Sequence, residues 1–227
     1  MPSLDEALPL MEAELTRRLG VTSITSREPD FAIFLEIALG ELIDSGKAGA
    51  AVAALAEAGL DQSEALAEAE PDETREAIAL AGLKLNPKIP AILKKLARWL
   101  TERHHGDFAE LAEASAESIR EELRQINGIG AATADVLLLR ALGRPAFPVD
   151  RAAYRIFLRH GWLELNADYD EARSALERLA PDDAAALEQW TRWLDKIGKD
   201  FCKPSAAKCE RCPLQEWLPE SGPVDPL

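Results

Sequence analysis

The chain has 227 residues, 47% of them apolar, enough to bury a core and too many for a disordered tail. Its 26 basic and 40 acidic side chains leave a formal charge of −14, which excludes general adhesion to nucleic acid or anionic membrane. No apolar run approaches the roughly 18–20 residues of a membrane span, and the start Met1-Pro-Ser-Leu-Asp-Glu lacks a secretory leader. A cytoplasmic monomer with no membrane contact is expected.

Ala, Leu, Glu and Arg dominate, and apolar positions recur at three- and four-residue spacing, so nearly every segment reads as helix and the fold class as all-α. Ser3 with Glu6 forms a capping box for a helix to about Arg18, stopped near Gly20. Pro29-Asp30 opens a second helix through Phe31, Phe34, Leu35, Ala38, Leu39 and Leu42. Short helices are predicted over 47–58, 61–69 and 72–81. A longer one, with Pro87 and Pro90 in its first turn, ends near His105. Two more fall at about 107–114 and 116–125. The loop Ile126–Gly130 leads into a helix from Ala131 to about Leu142, and helices near 149–160, 168–179 and 183–198 complete the chain.

Charge is unevenly placed. From Lys84 to Arg103 there are six bases against Glu102, and from Arg124 to His160 seven titratable bases, six of them Arg, against Asp135 and Asp150. Such runs are either solvated helix faces or a local strip for phosphates, and composition leaves both open. Gly40-Glu-Leu-Ile-Asp-Ser-Gly46-Lys47-Ala48 imitates a phosphate loop but has five residues between its glycines and Ala48 where a hydroxyl is needed. His104, His105 and His160 match no zinc-hydrolase spacing. Trp190 and Trp193 share a helix face with Ile197 and read as core.

The informative segment is Leu123-Arg-Gln-Ile-Asn-Gly128-Ile-Gly130-Ala-Ala-Thr-Ala-Asp-Val-Leu-Leu-Leu139. An amphipathic helix breaks at two glycines, which permit a tight turn and close approach by another backbone, and restarts at once, with Ile129 turned into the core. The amides of Gly128, Ile129, Gly130, Ala131, Ala132 and Thr133 then gather at the positive end of a new helix. That is an anion site needing no side-chain charge, by which an acidic protein could hold a DNA phosphate. An ordinary Gly-rich helical turn is the other reading.

Pro148-Val149-Asp150-Arg151 follows twenty residues after Gly130, and then the three cysteines, spaced Cys202-(six)-Cys209-(two)-Cys212-Pro-Leu. An odd, clustered set in a chain without a leader points to metal rather than disulfides. The order of hairpin, Val-Asp, Gly198-Lys199 and cysteine loop resembles the endonuclease III branch of the helix-hairpin-helix DNA glycosylases, over about residues 29–218. Gly82-Leu83 with Lys88 is similar to that family's segment before its fourth barrel helix.

The resemblance implies a six-helix barrel over 30–143, carrying the hairpin at about 117–142. It also implies a split second domain of 1–29 and 144–227, with an iron–sulfur-type loop at 202–218. The implied partner is double-stranded DNA, which would make the protein nucleoid-associated when bound, and the implied reaction is release of a damaged base flipped into a pocket. Asp150 falls on the family's catalytic carboxylate, although capping of the following helix explains an Asp there equally. Lys88 and Arg151 are the implied phosphate contacts. Two positions depart from the pattern. Ala132 stands where bifunctional members have a lysine nucleophile, so strand nicking is expected to be weak or absent. Gly40-Glu41 stands where a Ser-Gln segment fills the space left by the flipped base, so Glu41 signals altered base recognition.

Cluster-bearing members continue to a fourth cysteine five residues on, where this chain has Leu218. A [4Fe-4S] cluster on Cys202, Cys209 and Cys212 would then take a non-cysteine fourth ligand, with Glu216, Glu220 and Asp225 near in sequence. Zinc, or an empty loop stapled by Trp217 and Leu218, are the alternatives.

Overall fold

The computed structural model describes residues 4–23 and 28–224, and among them there is helix and no strand. Ser3 and Asp225 lie outside the described residues, so the capping box read at Ser3 and one acidic candidate for the loop do too. Two compact units emerge, one of 27–144 and one combining 1–26 with 145–227.

In the 27–144 unit, α2 (Phe31–Leu42) starts at Asp30, whose side chain accepts from Ile33 N. Phe34, Leu35, Ala38 and Leu39 on it are fully buried, each such large side chain contributing on the order of 1.5–3 kcal/mol by leaving water. Around it stand α3 (Ala48–Glu57), α4 (Ser63–Glu68), α5 (Pro71–Leu80) and α6 (Ile89–His104), then α7 (Phe108–Glu113), α8 (Ala116–Gln125) and α9 (Ala131–Val136). Pro87 precedes α6, and only Pro90 sits in its first turn, where the missing N–H costs nothing. α9 does not continue as the single α-helix expected to Leu142. Leu137–Ala141 widens into a π-turn, with Leu137, Leu138, Leu139 and Ala141 buried, and this segment packs on α2.

The other unit holds α1 (Leu4–Leu19), α10 (Arg151–Arg159), α11 (Tyr169–Glu177), α12 (Ala184–Asp200) and the cysteine loop. Trp193 Nε1 donates to Gly20 O at 2.8 Å and Thr22 N to Gln189 Oε1 at 2.8 Å, fastening the end of α1 to α12. Trp190 and Trp193 are buried, as their spacing predicts. α10 and α12 pack unusually closely. A Cβ at Gly198 would lie 2.5 Å from Ala152 Cβ, so only glycine lets the two helices approach so far.

Candidate nucleic-acid interface and cysteine loop

In the hairpin, Ser115 caps α8 by accepting from Ser118 N, and Ile119, Leu123, Ile126 and Ile129 are buried. The turn residues Asn127, Gly128 and Gly130 are exposed. Gly128 has φ +110°, and a Cβ there would meet Ile92 at 2.6 Å. Its backbone favours glycine, and any side chain there would have to displace Ile92. Gly130 differs from the sequence expectation: its φ of −85° suits any residue, and a Cβ would meet nothing within 4 Å. Its small size therefore leaves room outside the chain rather than permitting the turn.

The amide supply can be counted. Ile126 N and Ile129 N bond to carbonyls at the end of α8, and the first amide of the new helix to find one is Ala134 N, on Gly130 O at 2.9 Å. No side chain caps Gly130. Among the described residues, Gly130, Ala131, Ala132 and Thr133 amides thus have no backbone acceptor, at the helix end where partial positive charge collects. The hairpin is held from beneath by a pair that charge counting did not reveal. Arg120 Nε on α8 donates to Asp135 Oδ1 on α9 at 2.6 Å, both side chains essentially inaccessible, and Arg120 also pairs with Glu117.

α6 flanks the turn. Ile92 abuts Gly128, and Lys88 and Lys95 fall one helical turn to either side of Ile92 on the same helix. Both are exposed. By contrast Lys94 bonds Glu70 at 3.2 Å and Arg98 pairs with Glu102 at 2.7 Å. The basic run is therefore divided, part of it spent on local ion pairs and part facing solvent beside the hairpin. Glu41 is an exposed side chain in the last turn of α2.

In the other unit, Asp150 is exposed and caps α10, Oδ1 accepting from Ala153 N at 2.6 Å. The cap fixes one carboxylate oxygen, and among the described residues Oδ2 has no hydrogen-bond partner. Val149 N donates to Tyr169 Oη, and Tyr154 Oη to Ala167 O, holding the approach to α10. Lys199, on the neighbouring helix, has its pKa raised by its hydrogen bond and ion pair with Asp195 and, more weakly, by the charge of Asp150. Arg151 is exposed beside the cap. Arg155 braces rather than reacts, donating to Cys202 O at 2.8 Å and Arg151 O at 3.1 Å.

Cys202, Cys209 and Cys212 are free thiols that line one small pocket with Ile156, Arg159, His160, Ile197, Phe201 and Leu218. Burial raises the Cys209 pKa and pushes Cys212 up to about 11, with smaller contributions from the neighbouring cysteines. Arg159 is buried. Its guanidinium donates to Cys202 Sγ at 3.2 Å, Lys203 O at 2.9 Å and Pro204 O at 3.1 Å, and among the described residues no carboxylate pairs with it. A buried cation aimed at sulfur calls for an anionic thiolate or cluster, and Leu214 N adds a donor to Cys212 Sγ at 3.5 Å. The donor set fits an iron–sulfur group.

Among the described residues no group of three or more His, Cys, Asp or Glu side chains is already arranged around a metal position. Glu216 and Glu220, put forward from sequence proximity, are exposed and do not line the pocket. His160 does line it, which no local spacing reveals. Its Nδ1 lies 3.2 Å from Trp217 O, its ring stacks on Trp162 at 4.5 Å, and burial lowers its pKa to about 4.

No family model matches the chain. A Methanocaldococcus jannaschii protein named "Putative DNA repair glycosylase" is 34% identical over 127 residues, 55% of this chain and 57% of its own. Endonuclease III of Thermotoga maritima is 29% identical over 150 residues, 66% of this chain and 64% of its own. The chain thus spans less than two thirds of the length of either relative. A solved endonuclease III–DNA complex superimposes with a TM-score of 0.65, covering 97% of each chain at 20% identity. The chain therefore has the fold of that endonuclease III structure, and over part of its length it is similar in sequence to the two relatives.

Proposed function

We propose that the protein is a DNA glycosylase of base-excision repair that binds double-stranded DNA and hydrolyses the N-glycosidic bond of a damaged base, with little strand nicking. The observation that carries this reading is the start of α9, where four successive amides lack a backbone acceptor and the exposed Gly130 leaves open space beside them. Such a site binds phosphate through backbone alone, and Lys88 and Lys95 add positive charge beside it. Breaking the glycosidic bond develops positive charge on the sugar. The capped carboxylate of Asp150 is suited to stabilise that charge or to take a proton from water through its second oxygen. Ala132 supplies no amine, so no Schiff base forms from that position.

Cys202, Cys209 and Cys212 would hold a [4Fe-4S] cluster. When bound, the cluster supplies iron–thiolate bonds that fasten the loop of 202–218. Arg159 supplies the opposing charge.

Asp150→Asn is a clean test because the amide oxygen can still accept from Ala153 N, so the cap survives while the charge goes. Duplexes carrying oxidised, alkylated, deaminated and mismatched bases are incubated with protein and then treated with alkali. Wild type is expected to release one class of base, with breaks appearing after alkali, and Asp150→Asn to lose that release by about 10²-fold or more. Equal release by both proteins would overturn the assignment of Asp150. Ala132 and Glu41 favour a second reading, a DNA-binding protein of the same fold that recognises lesions without cutting. Salt-sensitive binding with no release of any base by wild type would select it.

A further inference from the structure

We propose that the fourth protein ligand of the cluster is His160, through Nε2. The inference rests on reading the cysteine loop as a cluster site, and it replaces the acidic residues that sequence proximity puts forward. His160 ends α10 and lines the same pocket as all three thiols, whereas Glu216 and Glu220 are exposed and outside it. Leu218, in the position of the family's last cysteine, forms part of the pocket wall and has no donor atom.

The chemistry of the ring agrees. A carbonyl oxygen can only accept, so the contact with Trp217 O assigns the proton to Nδ1. In a neutral ring Nε2 then keeps its lone pair, and among the described residues it has no hydrogen-bond partner. A histidine whose other nitrogen donates to a backbone carbonyl is the usual arrangement of a metal-bound imidazole, since the donor bond fixes tautomer and orientation. Stacking on Trp162, with 13° between the planes, restrains the ring further. Charge points the same way. A doubly positive four-iron core with three thiolates carries one net negative charge, which the single buried guanidinium of Arg159 offsets. A carboxylate in fourth place would leave a second negative charge buried without an opposite.

The full chain, grown with ¹⁵N-histidine or unlabelled and purified without air, is assayed for iron and acid-labile sulfide, reduced, and examined by pulsed electron paramagnetic resonance. About four irons and four sulfides per chain are expected. A directly coordinated nitrogen coupling should change isotope with the label and vanish in His160→Cys, which offers a thiolate in its place and so keeps the cluster. Because replacing thiolate by imidazole raises cluster potentials, wild type should also reduce at a higher potential than His160→Cys. A loaded cluster without histidine nitrogen coupling would overturn the ligand assignment and leave the cluster standing. Absence of iron and sulfide from both proteins, or zinc in their place, would overturn the cluster reading and the ligand with it.

Discussion

Gly128 and Gly130 are two residues apart in one turn, yet their surroundings assign them opposite sensitivities. Replacing Gly128 by Ala forces a side chain onto φ +110° and brings its Cβ within 2.6 Å of Ile92. The backbone term costs about 1–2 kcal/mol and the displaced Ile92 about 1–3 kcal/mol. Together these lower the melting temperature by roughly 4–20 °C for a chain of this size. Replacing Gly130 by Ala meets neither obstacle, because φ is −85° and the space is open. Its loss of a favourable cap residue and its gain from a stiffer unfolded chain are each below about 1 kcal/mol and opposed. What Gly130→Ala, and more so Gly130→Val, does is crowd the approach to the amides behind it. Losing one charge-assisted amide bond costs about 1.5–3 kcal/mol, so affinity for duplex should fall about 10- to 100-fold. Thermal unfolding and fluorescence anisotropy with a labelled duplex separate the two effects. Wild-type affinity in Gly130→Val, with the protein folded, would refute the role given to the open turn.

Three further outcomes follow from the same geometry. Ala132→Lys places an amine at the start of α9 and should create strand nicking that borohydride traps as a covalent protein–DNA adduct. Base release without any trapped adduct would contradict the reading of Ala132 as the position of the missing lysine nucleophile. Arg120→Met removes the buried ion pair with Asp135 and should destabilise the protein by about 3–5 kcal/mol, read from denaturant melts. A change under about 1 kcal/mol would mean the pair does not brace the hairpin. Removing iron with chelator after oxidation should speed proteolysis within residues 202–218, and an unchanged digestion pattern would count against a cluster holding that loop.

What the sequence disclosed and what it hid have distinct physical causes. Local rules were enough for the all-α class and for the helix of 116–125, because capping, periodicity and glycine stops act within a few residues. The buried Trp190–Trp193 face was legible for the same reason. The brace from Arg120 to Asp135 was not, since an Arg and an Asp fifteen residues apart look like solvated charge until the hairpin folds them together. Gly198 matters only because Ala152 lies opposite it on another helix. Of the two uses read for the glycines, the tight turn and the close approach of another backbone, Gly130 has an ordinary backbone and keeps only the open space. His160 escaped because ligand motifs are sought by spacing, and the three thiols in its pocket lie 42 to 52 residues away. Glu216 and Glu220 seemed plausible by nearness along the chain, but the short helical turn at Gln215–Trp217 leaves both exposed.

The most direct test observes the amides themselves. A ¹⁵N-labelled sample is titrated with a duplex containing an abasic-site analogue, and backbone N–H resonances are followed by nuclear magnetic resonance. Gly130, Ala131, Ala132 and Thr133 should move downfield together, as donors taking up a phosphate oxygen do, and should return as salt is raised. Resonances of these four residues that stay fixed while others shift on binding would show that the protein holds DNA elsewhere.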